Sequence, residues 1–153
     1  MHSAEITAEQ IRDLRVLAGT IIPASEAYGV PGADDERIFA DILRSLARDR
    51  EDVCQALAHL IRLAGGAFAD LPPERRVEVA AQFREQGGAP LAILVRLVLL
   101  CYYRDDRVMR SLGQEPRAPF PQGHVVEQGD WSLLDPVRMR APMYRRVTEG
   151  KLA

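Results

Sequence analysis

The side chains best equipped for chemistry are Tyr102, Tyr103, Asp105 and Asp106, clustered at one point of the chain, with His124 further on. Phenols, carboxylates and an imidazole can divide acid–base work between them when their pKa values are tuned toward neutrality. Arg104 and Arg107 are interleaved with them, however, and acids beside arginines more often cap helices and pair at the surface. The other histidines, His2 and His59, stand apart, with no carboxylate at metal-ligand spacing and no Glu-x-x-His. Cys54 lies five positions from His59, off any shared helical face, and Cys54 and Cys101 are too few for a metal framework. Both read as buried free thiols. No glycine-rich phosphate loop follows a strand. The sequence therefore predicts no catalytic, cofactor-binding or metal-ligating residue in this chain.

The element that positions the Tyr–Asp cluster is an apolar run. From Leu91 to Tyr103 every residue but Arg96 is apolar, which predicts a buried central helix at 91–103. About twenty such residues are needed to span a bilayer, so no membrane insertion is expected. Pro90 suits the first turn of this helix. Beyond it the run turns into a polar, aromatic rim, where Asp105 or Asp106 caps a short helix that stops at Gly113. Arg96 either snorkels to the surface, pairs with a carboxylate or faces a partner.

Four more helices precede it. Thr7 and Gln10 form a capping box ahead of Ile11, Leu14 and Leu17. A long loop with Pro23, Gly29, Pro31 and Gly32 follows, in which Ile21, Ile22, Tyr28 and Val30 are available to pin it to the core. Asp34 or Asp35 caps a second helix carrying Ile38, Phe39, Ile42 and Leu46, and a third runs through Val53, Leu57 and Leu60 to Gly65-Gly66. Pro73 and Glu74 open a fourth, which closes at Gly87-Gly88. No alternating pattern appears between Thr7 and Gly113, so the expected class is all-α: an irregular bundle of about five main helices over 1–113.

The remaining 114–153 reads as a C-terminal arm of little regular structure. Its best local signal is Asp135-Pro136, an N-cap followed by proline, with Pro142 limiting the helix to about two turns. Phe120, Val125, Val126, Trp131, Leu133, Leu134, Met139, Met143 and Tyr144 are too apolar for a disordered tail and need burial. The arm either wraps over its own bundle or lies across a partner.

A formal net charge of -2 argues against nucleic acid as a partner. Of 20 basic residues only Lys151 is lysine, a bias that a GC-rich genome explains. The start, MHSAEITAEQ, shows neither a basic region before an apolar run nor a twin-arginine pattern, which predicts a cytoplasmic chain, or a periplasmic one if such a signal has been removed.

Two segments resemble a known family. TIIPASEAYGVPGADD, with Thr20-Ile21-Ile22-Pro23 and the Pro31-Gly32-Ala33 turn, is similar to the Asp-Thr-[Leu/Ile]-[Ile/Leu]-Pro and glycine-rich turn of the small third subunit of gluconate 2-dehydrogenase. Gly19 stands where that pattern has its acid. Tyr102-Tyr103-Arg104-Asp105-Asp106-Arg107-Val108 through Leu112-Gly113 resembles the family's Tyr-Tyr, Asp, Arg-Val and Leu-Gly pattern after the long apolar helix. The resemblance implies a non-catalytic accessory subunit that binds and stabilises a large FAD-containing subunit of the glucose-methanol-choline class, which oxidises a sugar, sugar acid or alcohol. FAD would belong to that partner. Family members often carry a twin-arginine signal; none is seen here, which leaves stabilisation rather than export as the implied role.

The residues expected at the partner interface are Tyr102, Tyr103, Arg104 and Arg107 at the rim and Trp131, Arg138, Arg140, Met143 and Tyr144 in the arm, because aromatic, Met and Arg side chains are enriched at interface centres. Each can instead pack on its own chain. The rival readings are an independent enzyme using the Tyr102 to Asp106 rim and a self-associating helical adaptor.

Overall fold

The computed structural model describes residues 5–125 and 127–144. Among these there are helices and short 3-10 turns but no strand, so the chain is all-α. It divides into two compact units, Met1–Arg117 and Ala118–Ala153. His2 and Val126 lie outside the described residues.

In the first unit α1 (Ala8–Ile21) starts at the expected capping box: the Thr7 hydroxyl accepts from the Gln10 N–H and the Gln10 side chain accepts from the Thr7 N–H. The loop after α1 turns back at Ser25 and Val30, whose backbones exchange two hydrogen bonds of 3.0 Å, and the Ala33 N–H closes it onto the Ile22 carbonyl at 2.9 Å. Ile21, Ile22 and Val30 pack against the core as expected, whereas Tyr28, at the exposed tip, points to solvent. Asp35 rather than Asp34 caps α2 (Glu36–Ser45), accepting from the N–H groups of Arg37 and Ile38. The third helix, α3 (Arg50–Ala64), ends on Gly65 at φ 72°, the left-handed conformation that glycine adopts without penalty.

Phe68 then drops into the core on a 3-10 turn, Phe68–Asp70. That turn is held by a residue whose role the pattern of α1 does not announce. Asp13 is fully buried, and its Oδ1 accepts from the Ala69 N–H at 2.8 Å. Arg76 of α4 (Pro73–Gln86) ties the same residue from its other side, donating to the Ala69 carbonyl at 2.7 Å. The joint Gly87-Gly88, with φ of 62° and 105°, redirects the chain by 119° into α5 (Ala89–Tyr103). Asp105 caps the short α6 (Asp106–Ser111).

The core gathers Leu14, Leu17, Ile38, Ile42, Leu57, Leu60, Phe68, Phe83, Leu94 and Val98. α5 packs against α2, α3 and α6. Its surroundings differ from the all-round burial expected of an apolar run: Leu94, Leu97, Val98, Cys101 and Tyr102 face inward, while Ala92, Leu99, Leu100 and Tyr103 are exposed. The neighbouring helices cover one flank only, and a helix with no polar stripe gives no sign of which flank that is. Among the described residues no single helix is long and apolar enough to cross a membrane.

In the second unit the helical stretch begins earlier than the Asp135-Pro136 pair suggests. Asp130 accepts from the Ser132 N–H and hydroxyl, starting a 3-10 turn, Trp131–Leu134, that continues into α7 (Asp135–Arg138). Asp135 is therefore the first residue of α7 and not its cap. The apolar side chains for which burial was expected, Phe120, Val125, Trp131, Leu133, Met139, Met143 and Tyr144, are not buried within this unit.

Candidate functional site

The rim at the end of α5 is assembled by helix geometry. Tyr102 and Tyr103 are successive and so point about 100° apart around the helix. Tyr102, at 5% exposure, enters the core; Tyr103, at 52%, stands on the surface, and their rings meet edge to face at 5.3 Å. Tyr102 is thus a core residue and not the interface residue expected from its type. Burial pushes its phenol above the usual tyrosine range.

The two rim arginines brace the bundle itself. Arg104 donates to Asp41 Oδ2 at 2.7 Å and to Ser45 Oγ at 2.7 Å, tying the end of α5 to α2. Arg107 reaches Asp105 Oδ1 with Nε at 2.9 Å and Asp35 Oδ1 with Nη2 at 2.6 Å. Its guanidinium bonds hold the carboxyls of Asp35 and Asp105 below the usual range, against the opposing effect of burial. At Asp41 burial pushes upward, and the bonds from Arg104 and Arg44 overcome it, leaving that carboxyl lowered too.

A cleft of about 220 Å³ lies beside these ion pairs, lined by Arg37, Asp41, Cys101, Arg104 and Asp105 among others. Its groups are poorly matched to proton transfer at neutral pH. The carboxylates are held ionised, while burial raises the Cys101 thiol above its ordinary value. A general acid or base works best with a pKa near the operating pH, and these shifts run the other way. Arg96, the sole interruption of the apolar run, pairs with Asp49 at 2.8 Å. His59 hydrogen-bonds Gln86 Oε1 at 2.6 Å and meets the Phe83 ring edge to face. Both cysteines are free, and among the described residues no group of three or more His, Cys, Asp or Glu side chains is placed to hold a metal ion.

The other surface is apolar. Along α5, a shallow groove of about 620 Å³ runs past Leu91, Ala92, Val95, Leu99 and Leu100. A second, of about 480 Å³, lies between α1, α4 and α5, with Leu17, Ile21, Val77, Ala81, Leu91 and Val95 among its walls. Leu91 and Val95 belong to both, which makes one continuous apolar face. Contiguous exposed apolar surface of this kind marks interaction sites in soluble domains. Sequence reasoning missed it because it assigned every side of 91–103 to the core.

The arm residues expected at an interface are exposed. Trp131 is 62% exposed, with its indole N–H on Gln128 Oε1 at 3.2 Å, and Arg138 pairs with Asp135 at 3.1 Å. Arg140, Met143 and Tyr144 are exposed. No known protein family, curated protein or solved structure matches this chain.

Proposed function

We propose that this chain is the non-catalytic small subunit of a heteromeric FAD-dependent dehydrogenase or oxidase of the glucose-methanol-choline class, which binds and stabilises the large subunit that oxidises a sugar, sugar acid or alcohol. The observation that carries this reading is the exposed apolar face of α5, with Leu100 at 58% and Tyr103 at 52% exposure, on a helix whose opposite flank is sunk in the core. Fully burying a leucine-sized side chain is favourable by about 1.5–3 kcal/mol, and covering the part of Leu100 that is exposed contributes a share of this, offset by the entropy lost on association. The exposed Trp131, Met143 and Tyr144 add anchors of the residue types that dominate interface energetics. The similarity of the Thr20–Pro23 and Tyr102–Gly113 segments to the gluconate 2-dehydrogenase third subunit supplies the class of partner. FAD and the chemistry belong to the large subunit in this reading.

Replacing Trp131 and Tyr144 together by Ala tests it. The bundle keeps its helical spectrum and the large subunit no longer co-purifies. An unchanged pull-down yield with an intact bundle removes the arm from the interface.

A further inference from the structure

The apolar face has a charge signature of its own. Among the described residues the only ionisable side chains lining its grooves are Arg84 and Arg96, and the adjoining cleft of about 330 Å³, which shares Leu91, adds His59 and Arg62. None of the described acids lines any of the three, although the chain as a whole has a net charge of -2. An occupant that fits is a short helix with an apolar side and carboxylates beside it.

The chain carries such a segment. Glu127, Asp130 and Asp135 flank Trp131, Leu133 and Leu134, and the helical turns Trp131–Leu134 and Asp135–Arg138 present Trp131, Leu134 and Val137 at successive i, i+3 positions. All three side chains are exposed. Lengths agree as well. From Leu91 to Leu100 α5 rises about 14 Å, and residues 131–138 rise about 12 Å.

We propose that, in the absence of a larger partner, two copies of this chain associate by exchange, each laying its 127–138 segment on the other's continuous apolar face, along α5 from Leu91 to Leu100 and against the adjoining groove between α1, α4 and α5. Trp131 and Leu134 are the apolar anchors, and the acids at 127 and 130 meet Arg84 of the groove and Arg62 of the adjoining cleft, while Asp135 keeps its pair with Arg138. Because the exchange is reciprocal, the copy that receives a segment returning its own to the donor, the arrangement closes as a two-fold dimer instead of growing into a filament. The inference concerns the isolated chain and does not rest on the flavoprotein reading, which stands or falls on co-purified flavin.

The test uses the full chain purified alone, its mass followed by light scattering and Trp131 followed by fluorescence, from nanomolar to high micromolar concentration. Trp131 is the only tryptophan, so its emission reports on this segment without interference. The expected result is a mass rising to twice 17.0 kDa, with a blue shift of the emission over the same concentration range. Val77→Asp, at a groove side chain 64% exposed, and Arg84→Glu each weaken association by about tenfold or more, with an unchanged helical spectrum. A monomer throughout overturns the proposal, whether Trp131 stays solvent-exposed or is already blue-shifted at the lowest concentration. So does a dimer that neither substitution weakens.

Discussion

Arg107 Nη2 donates to Asp35 Oδ1 at 2.6 Å, joining residues 72 positions apart in the sequence. The same guanidinium grips Asp105 through Nε and Nη2, so one side chain ties the cap of α2 to the cap of α6. Planar forks suit this bridging role and ammonium groups do not. Arg107→Ala leaves Asp105, whose side chain is nearly buried, without its cation, and the expected loss of stability is about 2 kcal/mol. Arg107→Lys recovers only part of it. Urea unfolding of the three proteins checks the order.

The same cluster fixes a pH dependence. Arg107 lowers the folded-state pKa of Asp35 and Asp105 below that of the unfolded chain, so their stabilisation is fully present above the unfolded carboxylate pKa of about 3.9 and is lost as pH falls through the folded values. The stability gap between the wild type and Arg107→Ala should therefore be constant near neutrality and shrink in acid. Unfolding titrations between about pH 3 and pH 7 measure it; a gap that widens in acid contradicts the assignment.

Gly32 is fixed by space. A Cβ there would collide with Asp34 Oδ1 and lie 3.0 Å from the Ala24 backbone nitrogen, and the backbone atom cannot rotate away. Gly32→Ala is expected to destabilise by about 1–3 kcal/mol. At Gly19 the nearest atoms all belong to the exposed Asp34 side chain, so Gly19→Ala should cost less. Thermal unfolding of the pair tests this difference.

Cys101 is buried and its thiol is held protonated by that burial, opposed by a hydrogen bond from Ser45. Thiolate is the reactive form. Alkylation of Cys101 at neutral pH should be far slower than that of free cysteine and should accelerate in urea in step with unfolding, as mass spectrometry of the labelled chain would record.

Much of this bundle is legible in the sequence because its helix ends are marked by local chemistry. The Thr7–Gln10 box, the Asp35 and Asp105 caps, Pro73 at a first turn and Gly65 after a last one each act within a few residues of themselves. What escapes is set at long range. An apolar run such as Leu91 to Tyr103 has no periodicity to tell inside from outside, so neither the exposed Leu99–Leu100 edge nor the opposite fates of Tyr102 and Tyr103 is written there. Arg104 and Arg107 look like interface residues by type, yet their partners Asp41 and Asp35 lie 63 and 72 positions away. Asp13 reads as one polar residue on an amphipathic helix and is in fact buried against the Phe68–Asp70 turn.

The exposed edge of α5 yields a prediction for the heteromer. Leu100→Asp changes a side chain 58% exposed and should leave the fold intact while removing the large subunit from the purified complex. Leu94→Asp, at a fully buried position on the same helix, should unfold the bundle instead. Circular dichroism and pull-down, run on both variants, separate loss of docking from loss of fold.

The most direct test of the accessory-subunit account is to purify the tagged chain from cells that do or do not co-express the reading frame beside its gene, and to record visible spectrum and native mass. The account requires that neighbour to carry a Gly-x-Gly-x-x-Gly dinucleotide-binding turn near its start. It predicts yellow flavin absorbance, with a mass above 17.0 kDa by at least one large subunit, only when the neighbour is present. Colourless, well-folded protein without the neighbour's polypeptide in both preparations would contradict it.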